Sequence, residues 1–367
     1  MKNALIFALL LVSSVVQAKT VTDILQRKVQ IPDNPQRIVL GEGRLIYTLA
    51  LVEQGNPVRR MVGWPGDLPR YDRQTWDRYT TAFPEIKKIP FIGTTNYAQV
   101  SAEKVIALHP DLVILSVYAK QASNHDSLQQ QLTDAGIPVV YVDTRVDQLK
   151  NTVPSLEILG EVFNQQAKAQ RFIAFYQQHM NLIRDRLQQA KPERPRVMLQ
   201  LHIGRREVCC TTVGHGNMAD LLVFAGGNNI AAERFSSVFG QISPEAVIAA
   251  DPNVYIVTGM AGPTQAGQLQ LGPQVNPKQA QQSFVQALQQ ENVLSTLPAI
   301  RHGKALAVWH NFYISPWHLL DVEMFAKVFH PRLFSDLDPA KTLEQMNREF
   351  LPVPETGTYW TQLDNSQ

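Results

Sequence analysis

This chain is poor in cysteine, close to electrically neutral and, after its first eighteen residues, without a long apolar run. Each lack excludes something. Only Cys209 and Cys210 are present, side by side. A bond between neighbours closes no loop whose entropy could be reduced, so no disulfide framework holds this fold. The pair is expected to be two small side chains in or near a strand, with a redox pair as the alternative. Neither cysteine has zinc-binding spacing. With 34 basic and 32 acidic residues the formal charge is +2, which gives no footprint for nucleic acid or a polyanionic surface. Catalytic signatures are missing too. There is no Gly-x-Ser-x-Gly elbow and no His-Glu-x-x-His. Gly41-Glu-Gly43-Arg-Leu-Ile46 starts like a dinucleotide fingerprint, but Ile46 stands at its third glycine position. The chain is therefore expected not to be an enzyme, a secreted hydrolase being the remote alternative.

What is present begins with a leader. Lys2 supplies a positive start, residues 4–16 are apolar apart from Ser13 and Ser14, and Val16-Gln17-Ala18 is a small-residue cleavage site. Residues 1–18 are expected to be a signal peptide, with a mature chain starting at Lys19. That run is short for a membrane span, and no later stretch approaches roughly 18 consecutive apolar residues. No cysteine follows the cleavage site to carry a lipid anchor. The expected destination is the periplasm. A length of 367 residues with 44% hydrophobic composition suits two globular domains.

An internal repeat says what those domains are. Ser101-Ala-Glu103-Lys-Val105-Ile106-Ala107-Leu-His-Pro110-Asp-Leu-Val-Ile114-Leu recurs as Ser243-Pro-Glu245-Ala-Val247-Ile248-Ala249-Ala-Asp-Pro252-Asn-Val-Tyr-Ile256-Val, 142 residues on and without a gap. Each copy reads as a serine-capped helix, a turn and a strand apolar on both faces. Further strands are expected at Arg37-Ile-Val-Leu40, at Ile137-Pro-Val-Val-Tyr-Val-Asp143, at Arg196-Val-Met-Leu-Gln-Leu-His202 and at Lys304-Ala-Leu-Ala-Val-Trp309. Strands alternating with helices imply two α/β lobes of βαβ units. Between them, apolar residues from Leu156 to Leu187 step by three and four. They predict one continuous helix over residues 154–190, roughly 50 Å long. The organisation expected is an N-terminal α/β lobe over 19–150, a linker helix over 151–192 and a C-terminal α/β lobe over 193–367. The ligand cleft would lie between the lobes.

With these elements in this order, the chain resembles the periplasmic substrate-binding proteins for iron-siderophores, haem and cobalamin. The two Glu-bearing segments, the helix between them and Val213-Gly-His-Gly-Asn217 running on to Ala225-Gly226-Gly227-Asn228 carry the resemblance. So does the tail from His310-Asn-Phe-Tyr-Ile-Ser315-Pro316 to His330-Pro and Asp338-Pro. The resemblance implies a monomer that delivers a ferric-siderophore-type iron complex to the permease dimer and ATPase of an ATP-binding-cassette importer. It also implies that Glu103 and Glu245, one per lobe, dock onto basic residues of that permease. Each glutamate alone would also complement its helix dipole.

Ligands of open α/β lobes lie beyond the carboxyl ends of the strands. That places Arg44, Trp64, Tyr97 and Tyr118 of the first lobe at the cleft, with Arg205, His215, Trp309, His310 and Tyr313 of the second. Arginine brings fixed charge and planar donors; tryptophan and tyrosine bring stacking area. Together they favour an anionic chelate. No cofactor or resident metal is expected. Three alternatives remain: zinc held by histidines such as His215 and His310, ferric ion held by Tyr97, Tyr118 or Tyr313, and haem with His310 or Tyr313 as axial ligand.

Overall fold

The computed structural model describes residues 18–93, 100–122, 125–204, 209–262, 267–291 and 294–363. Residues 1–17 of the expected leader, Tyr97 and Arg205 lie outside the described residues.

The first lobe opens with a hairpin of β1 (Ala18–Thr22) and β2 (Lys28–Pro32). Its sheet contains β3 (Ile38–Leu40), β4 (Met61–Gly63), β5 (Leu112–Ser116) and β6 (Val139–Val142), all parallel, in the order β4-β3-β5-β6. The second lobe contains β7 (Arg196–Gln200), β8 (Thr211–Val213), β9 (Asn228–Asn229), β10 (Phe239–Gln241), β11 (Val254–Gly259), β12 (Gly272–Pro273), β13 (Ala305–Trp309), β14 (Gly357–Thr358) and β15 (Trp360–Gln362). Its main sheet runs β9-β7-β11-β13, with β15 antiparallel at the edge. The four parallel strands of each lobe thus follow one winding order. Every residue of β5 and of β11 is buried, as their unbroken apolar runs require of strands covered on both faces.

Both copies of the repeat carry the serine caps expected of them, and the likeness runs on past the motif. Ser101 Oγ accepts from Lys104 N at 3.2 Å, and Ser243 Oγ accepts from Ala246 N at 3.3 Å. These cap helices Ala102–Ala107 and Pro244–Ala250. Both helices end on a left-handed residue, His109 (φ 46°) and Asp251 (φ 44°). Their last carbonyls are gripped by an arginine from the start of the neighbouring strand. Arg37 donates to Leu108 and His109 oxygens at 2.6 and 2.9 Å, and Arg196 to those of Ala250 and Asp251 at 3.0 and 2.7 Å. A cation there also answers the negative end of the helix dipole.

The lobes are helix-linked, but the connecting helix starts later than the periodicity implies. Helix Gln148–Val162 stops, Asn164 takes a left-handed conformation (φ 55°), and a second helix, Gln166–Ala190, begins. Asparagine tolerates that backbone better than most residues. Lys19 Nζ fastens the turn through Glu161 O at 2.5 Å and Asn164 Oδ1 at 2.6 Å. The linker helix of 25 residues is about 37 Å long. It buries Phe172, Ile173, Tyr176, Met180 and Ile183 against helices Ile46–Glu53 and His318–Phe329. Tyr176 meets His318 Nε2 at 2.7 Å, and His179 Nδ1 meets Glu323 at 2.5 Å.

The C-terminal tail touches both lobes. β15 completes the second sheet, while Glu355, wholly buried, pairs with Arg78 of helix Arg73–Ala82 in the first lobe at 2.5 Å. Arg78 also donates to the Pro354 carbonyl, and Tyr359 donates to Glu355. Among the described residues no helix is long and apolar enough to cross a membrane. Cys209 and Cys210 directly precede β8, beside a strand as expected, and are bonded to each other. They sit where Cys210 and Ile242 exchange backbone hydrogen bonds at 3.1 Å each way.

Candidate functional site

The site grows from the turn after β3. Gly41-Glu42-Gly43 carries the chain off the strand through two close approaches. A Cβ on Gly41 would fall 2.2 Å from Leu115 Cδ2, and one on Gly43 would fall 2.5 Å from Asp67 Oδ1. Glycine at both places lets the turn sit against β5 and against Asp67. Gly43 N donates to Asp67 Oδ1 at 2.7 Å, and Arg44 N to Oδ2 at 3.3 Å. Burial pushes the Asp67 carboxyl up to about 6, although Arg44 opposes the shift. This turn holds Glu42 and Arg44 at the carboxyl end of the sheet, at 3% and 7% exposure.

Arg145, on the loop after β6, joins them. Its Nη1 donates to Glu42 Oε1 at 2.8 Å, and Ser116 at the end of β5 donates to Oε2 at 2.7 Å. The Arg145 guanidinium lies 3.5 Å from the ring centre of Tyr118. Arg44 lies 3.9 Å from the same Glu42 oxygen and 3.6 Å from Asp67, with its guanidinium 5.4 Å from the ring centre of Tyr71. Burial works against the Arg145 charge, but Tyr313 and Glu42 outweigh it, so its pKa lies above the ordinary arginine value.

Both arginines reach the second lobe. Arg44 Nη1 donates to Asn311 Oδ1 at 3.3 Å, and Arg145 Nη2 to the Tyr313 hydroxyl at 3.1 Å. Backbone and amide contacts flank them. Thr144 Oγ1 donates to Ile314 O at 3.1 Å, Gln148 Nε2 to Tyr313 O at 3.1 Å and Asn217 Nδ2 to Arg145 O at 3.2 Å. The second lobe adds His310, whose Nδ1 lies 2.9 Å from Thr258 Oγ1 and whose ring packs on His202 with centres 3.7 Å apart.

Of the residues expected at the cleft, Arg44, Tyr118, Tyr313 and His310 gather here. His215 is exposed on the turn before helix Asn217–Phe224, and His310 pairs with His202 in its place. The two tryptophans are core residues. Trp64 is buried beside Trp76, and Trp309 is enclosed by Tyr47, Phe312, Trp317 and Tyr359. An aromatic at a strand end can turn toward the cleft or the core, and here the neighbouring rings decide. Sequence reasoning passed over Glu42, Asp67, Tyr71, Arg145, His202 and Asn311. Among the described residues no group of three or more histidine, cysteine or carboxylate side chains is placed to hold a metal ion. A cavity of about 570 Å³ lies elsewhere, on the second lobe around Leu306, Met324 and Trp360.

Glu103 and Glu245 are both exposed, at matching places in the first turns of helices Ala102–Ala107 and Pro244–Ala250. The Glu245 carboxyl is held below its usual range by a backbone amide and by Ser243.

The model of a family described as "Periplasmic binding protein" matches residues 69–308. The chain is similar to the molybdate-binding protein MolA of Haemophilus influenzae, 26% identical over 372 residues, covering 95% of this chain and 96% of that one. It is similar to the vitamin B12-binding protein of Yersinia pestis, 29% identical over 180 residues, covering 48% of this chain and 59% of that protein. In structure it is similar to the TroA-like periplasmic binding protein FepB of Veillonella parvula. The TM-score is 0.84 at 24% identity, covering 94% of this chain and 99% of that one.

Proposed function

Given that the chain belongs to the periplasmic binding protein family, as a substrate-binding protein of an ATP-binding-cassette importer and not an enzyme, we propose that it captures an anionic, oxygen-rich ligand between its lobes. A ferric-siderophore-type iron complex is the first choice. The observation that carries this reading is the convergence of Arg44 and Arg145 on Asn311 and Tyr313 across the lobe boundary. Guanidinium forks recognise paired oxygens, and Tyr71, Tyr118 and Tyr313 beside them offer flat faces to an organic chelate. Arg145 would serve as the main anchor, and His310 and Asn311 would bound the ligand from the second lobe.

A second reading, a small oxyanion, is favoured by likeness along nearly the whole chain to a molybdate-binding protein. The two share their arginines and differ in size. Delivery would use Glu103 and Glu245, whose capped helices repeat one geometry in the two lobes and could meet a two-fold permease symmetrically.

Titration of intrinsic tryptophan fluorescence tests the ligand. Trp309 adjoins His310 in the chain, so occupancy should change its emission. Ferric hydroxamate, ferric catecholate and ferric citrate are compared with molybdate, haem, free ferric ion and zinc, each corrected for absorbance. Saturable submicromolar quenching by one ferric chelate supports the first reading, and by molybdate alone the second. Tight binding of a bare cation with silence to every anion would overturn both.

A further inference from the structure

Glu42 is a carboxylate lodged between the two arginines assigned to the ligand. Its Oε1 accepts from Arg145 at 2.8 Å and lies 3.9 Å from Arg44, while Ser116 fixes Oε2 at 2.7 Å. It is 3% exposed. The flanking glycines are the residues that bring it there, because a side chain on either would strike Leu115 or Asp67. The segment that fails as a dinucleotide fingerprint is thus a mount for one acidic group.

From this arrangement we infer that Glu42 is a resident counter-ion that competes with every incoming anion and keeps weakly held ones such as chloride out of the site; the inference rests on the anionic-ligand reading. Arg44 and Arg145 face two carboxylates, Glu42 and Asp67, on their own lobe. Asp67 also takes backbone donors from the turn. Glu42, by contrast, accepts from Arg145 Nη1, while Nη2 of the same guanidinium reaches Tyr313 of the second lobe. A ligand anion has to share the guanidiniums with Glu42 and is repelled by it. A monovalent anion such as chloride, with few contacts to the remaining donors, gains too little to displace Glu42. A multiply charged anion, or a chelate presenting several oxygens, keeps enough attraction through the remaining donors of both forks. Glu42 lowers affinity for every anion, which takes a weak competitor below the concentration at which it fills the site and leaves a ligand held by many donors bound. It also keeps the guanidiniums paired when the cleft is empty, since a buried charge without a partner is costly.

Glu42→Gln keeps the shape and one acceptor while removing the charge. The probes are ferric citrate, a ferric tris-catecholate and molybdate, with chloride as competitor, followed by tryptophan quenching and by equilibrium dialysis with metal analysis. Where the wild-type protein binds one of these anions, the variant is expected to bind it at least tenfold more tightly. It should also become sensitive to chloride at concentrations the wild type ignores. Glu42→Asp, which keeps the charge but shortens the reach to Arg145, should gain less and serves as the second variant if Glu42→Gln is unstable. Unchanged or weaker anion binding in a folded Glu42→Gln protein would overturn the role of Glu42 and leave the anionic-ligand reading intact. Absence of binding of every anion to the wild type would overturn both.

Discussion

Replacing Arg78 by methionine should destabilise the protein strongly at neutral pH and much less in mild acid. Arg78 is 8% exposed and its partner Glu355 is completely buried. Without the guanidinium, Glu355 is a buried charge with no counter-ion, held only by Tyr359. It can escape by taking a proton. At pH 7, two and a half units above its ordinary value of 4.5, that protonation costs about 3.4 kcal/mol at about 1.36 kcal/mol per unit. The escape sets an upper limit on the charge penalty. The hydrogen bond from Arg78 to the Pro354 carbonyl adds about 1 kcal/mol. Burial already holds Glu355 above its ordinary value with Arg78 in place, so the expected loss is at most about 4 kcal/mol at pH 7, in the range for breaking a buried pair. At pH 5 the protonation term falls to about 0.7 kcal/mol and the total to about 2 kcal/mol. The sign follows from linkage: a carboxyl whose folded pKa is raised loses stability as pH climbs above its unfolded value. Urea unfolding of both proteins at pH 7 and pH 5, with fluorescence and circular dichroism, measures this. Arg78→Met combined with Glu355→Gln should recover most of the pH 7 loss. A cost below 1 kcal/mol at pH 7, or an equal cost at both pH values, would refute the reasoning.

Other expectations concern the site and its partner. Asp67, raised to about 6 by burial from an unfolded value near 3.8, binds its proton more tightly in the folded state. It should therefore cost stability as pH rises from about 4 to about 6, by roughly 3 kcal/mol in all. Asp67→Asn should remove that slope from a urea-unfolding series, and an unaltered slope would show that Asp67 ionises freely. Reversing both charges proposed for docking, Glu103→Lys with Glu245→Lys, should abolish ligand uptake by cells while leaving affinity of the purified protein unchanged. Loss of ligand binding in that double variant would defeat the docking assignment.

The lobes were legible because one segment appears twice. Ser101 to Leu115 and Ser243 to Val257 contain a cap, a helix, a stop and a buried strand, and those suffice to announce an α/β unit. The arginines that complete each unit, Arg37 and Arg196, stand far from the repeat in sequence and become neighbours only when the strands pair. The break before the linker helix carried one signal, Asn164, inside an apolar pattern that runs on past it unaltered. Arg44 is singled out by looking just beyond a buried strand, and the same rule applied to Val142-Asp143-Thr144-Arg145 singles out Arg145. Trp64 and Trp309 obey that rule too, yet face the core, because sequence position does not fix which way a large ring turns. Glu42 was passed over for a different reason: its glycines invite comparison with a phosphate loop, whereas their use here is close packing against Leu115 and Asp67.

The tail has a consequence for the order of assembly. Its last strand closes the second sheet, and its buried glutamate ties that lobe to the first. Both contacts lie among the final residues described. A chain emerging N-terminus first can complete the first lobe early, but nothing fastens that lobe to its neighbour through Arg78 until Glu355 arrives. Truncation before Glu355 would leave two lobes still joined by the linker helix with one of their buried ties missing. One short segment therefore does two jobs: the edge strand of the second sheet and the clasp between the lobes come from residues 355–362 together.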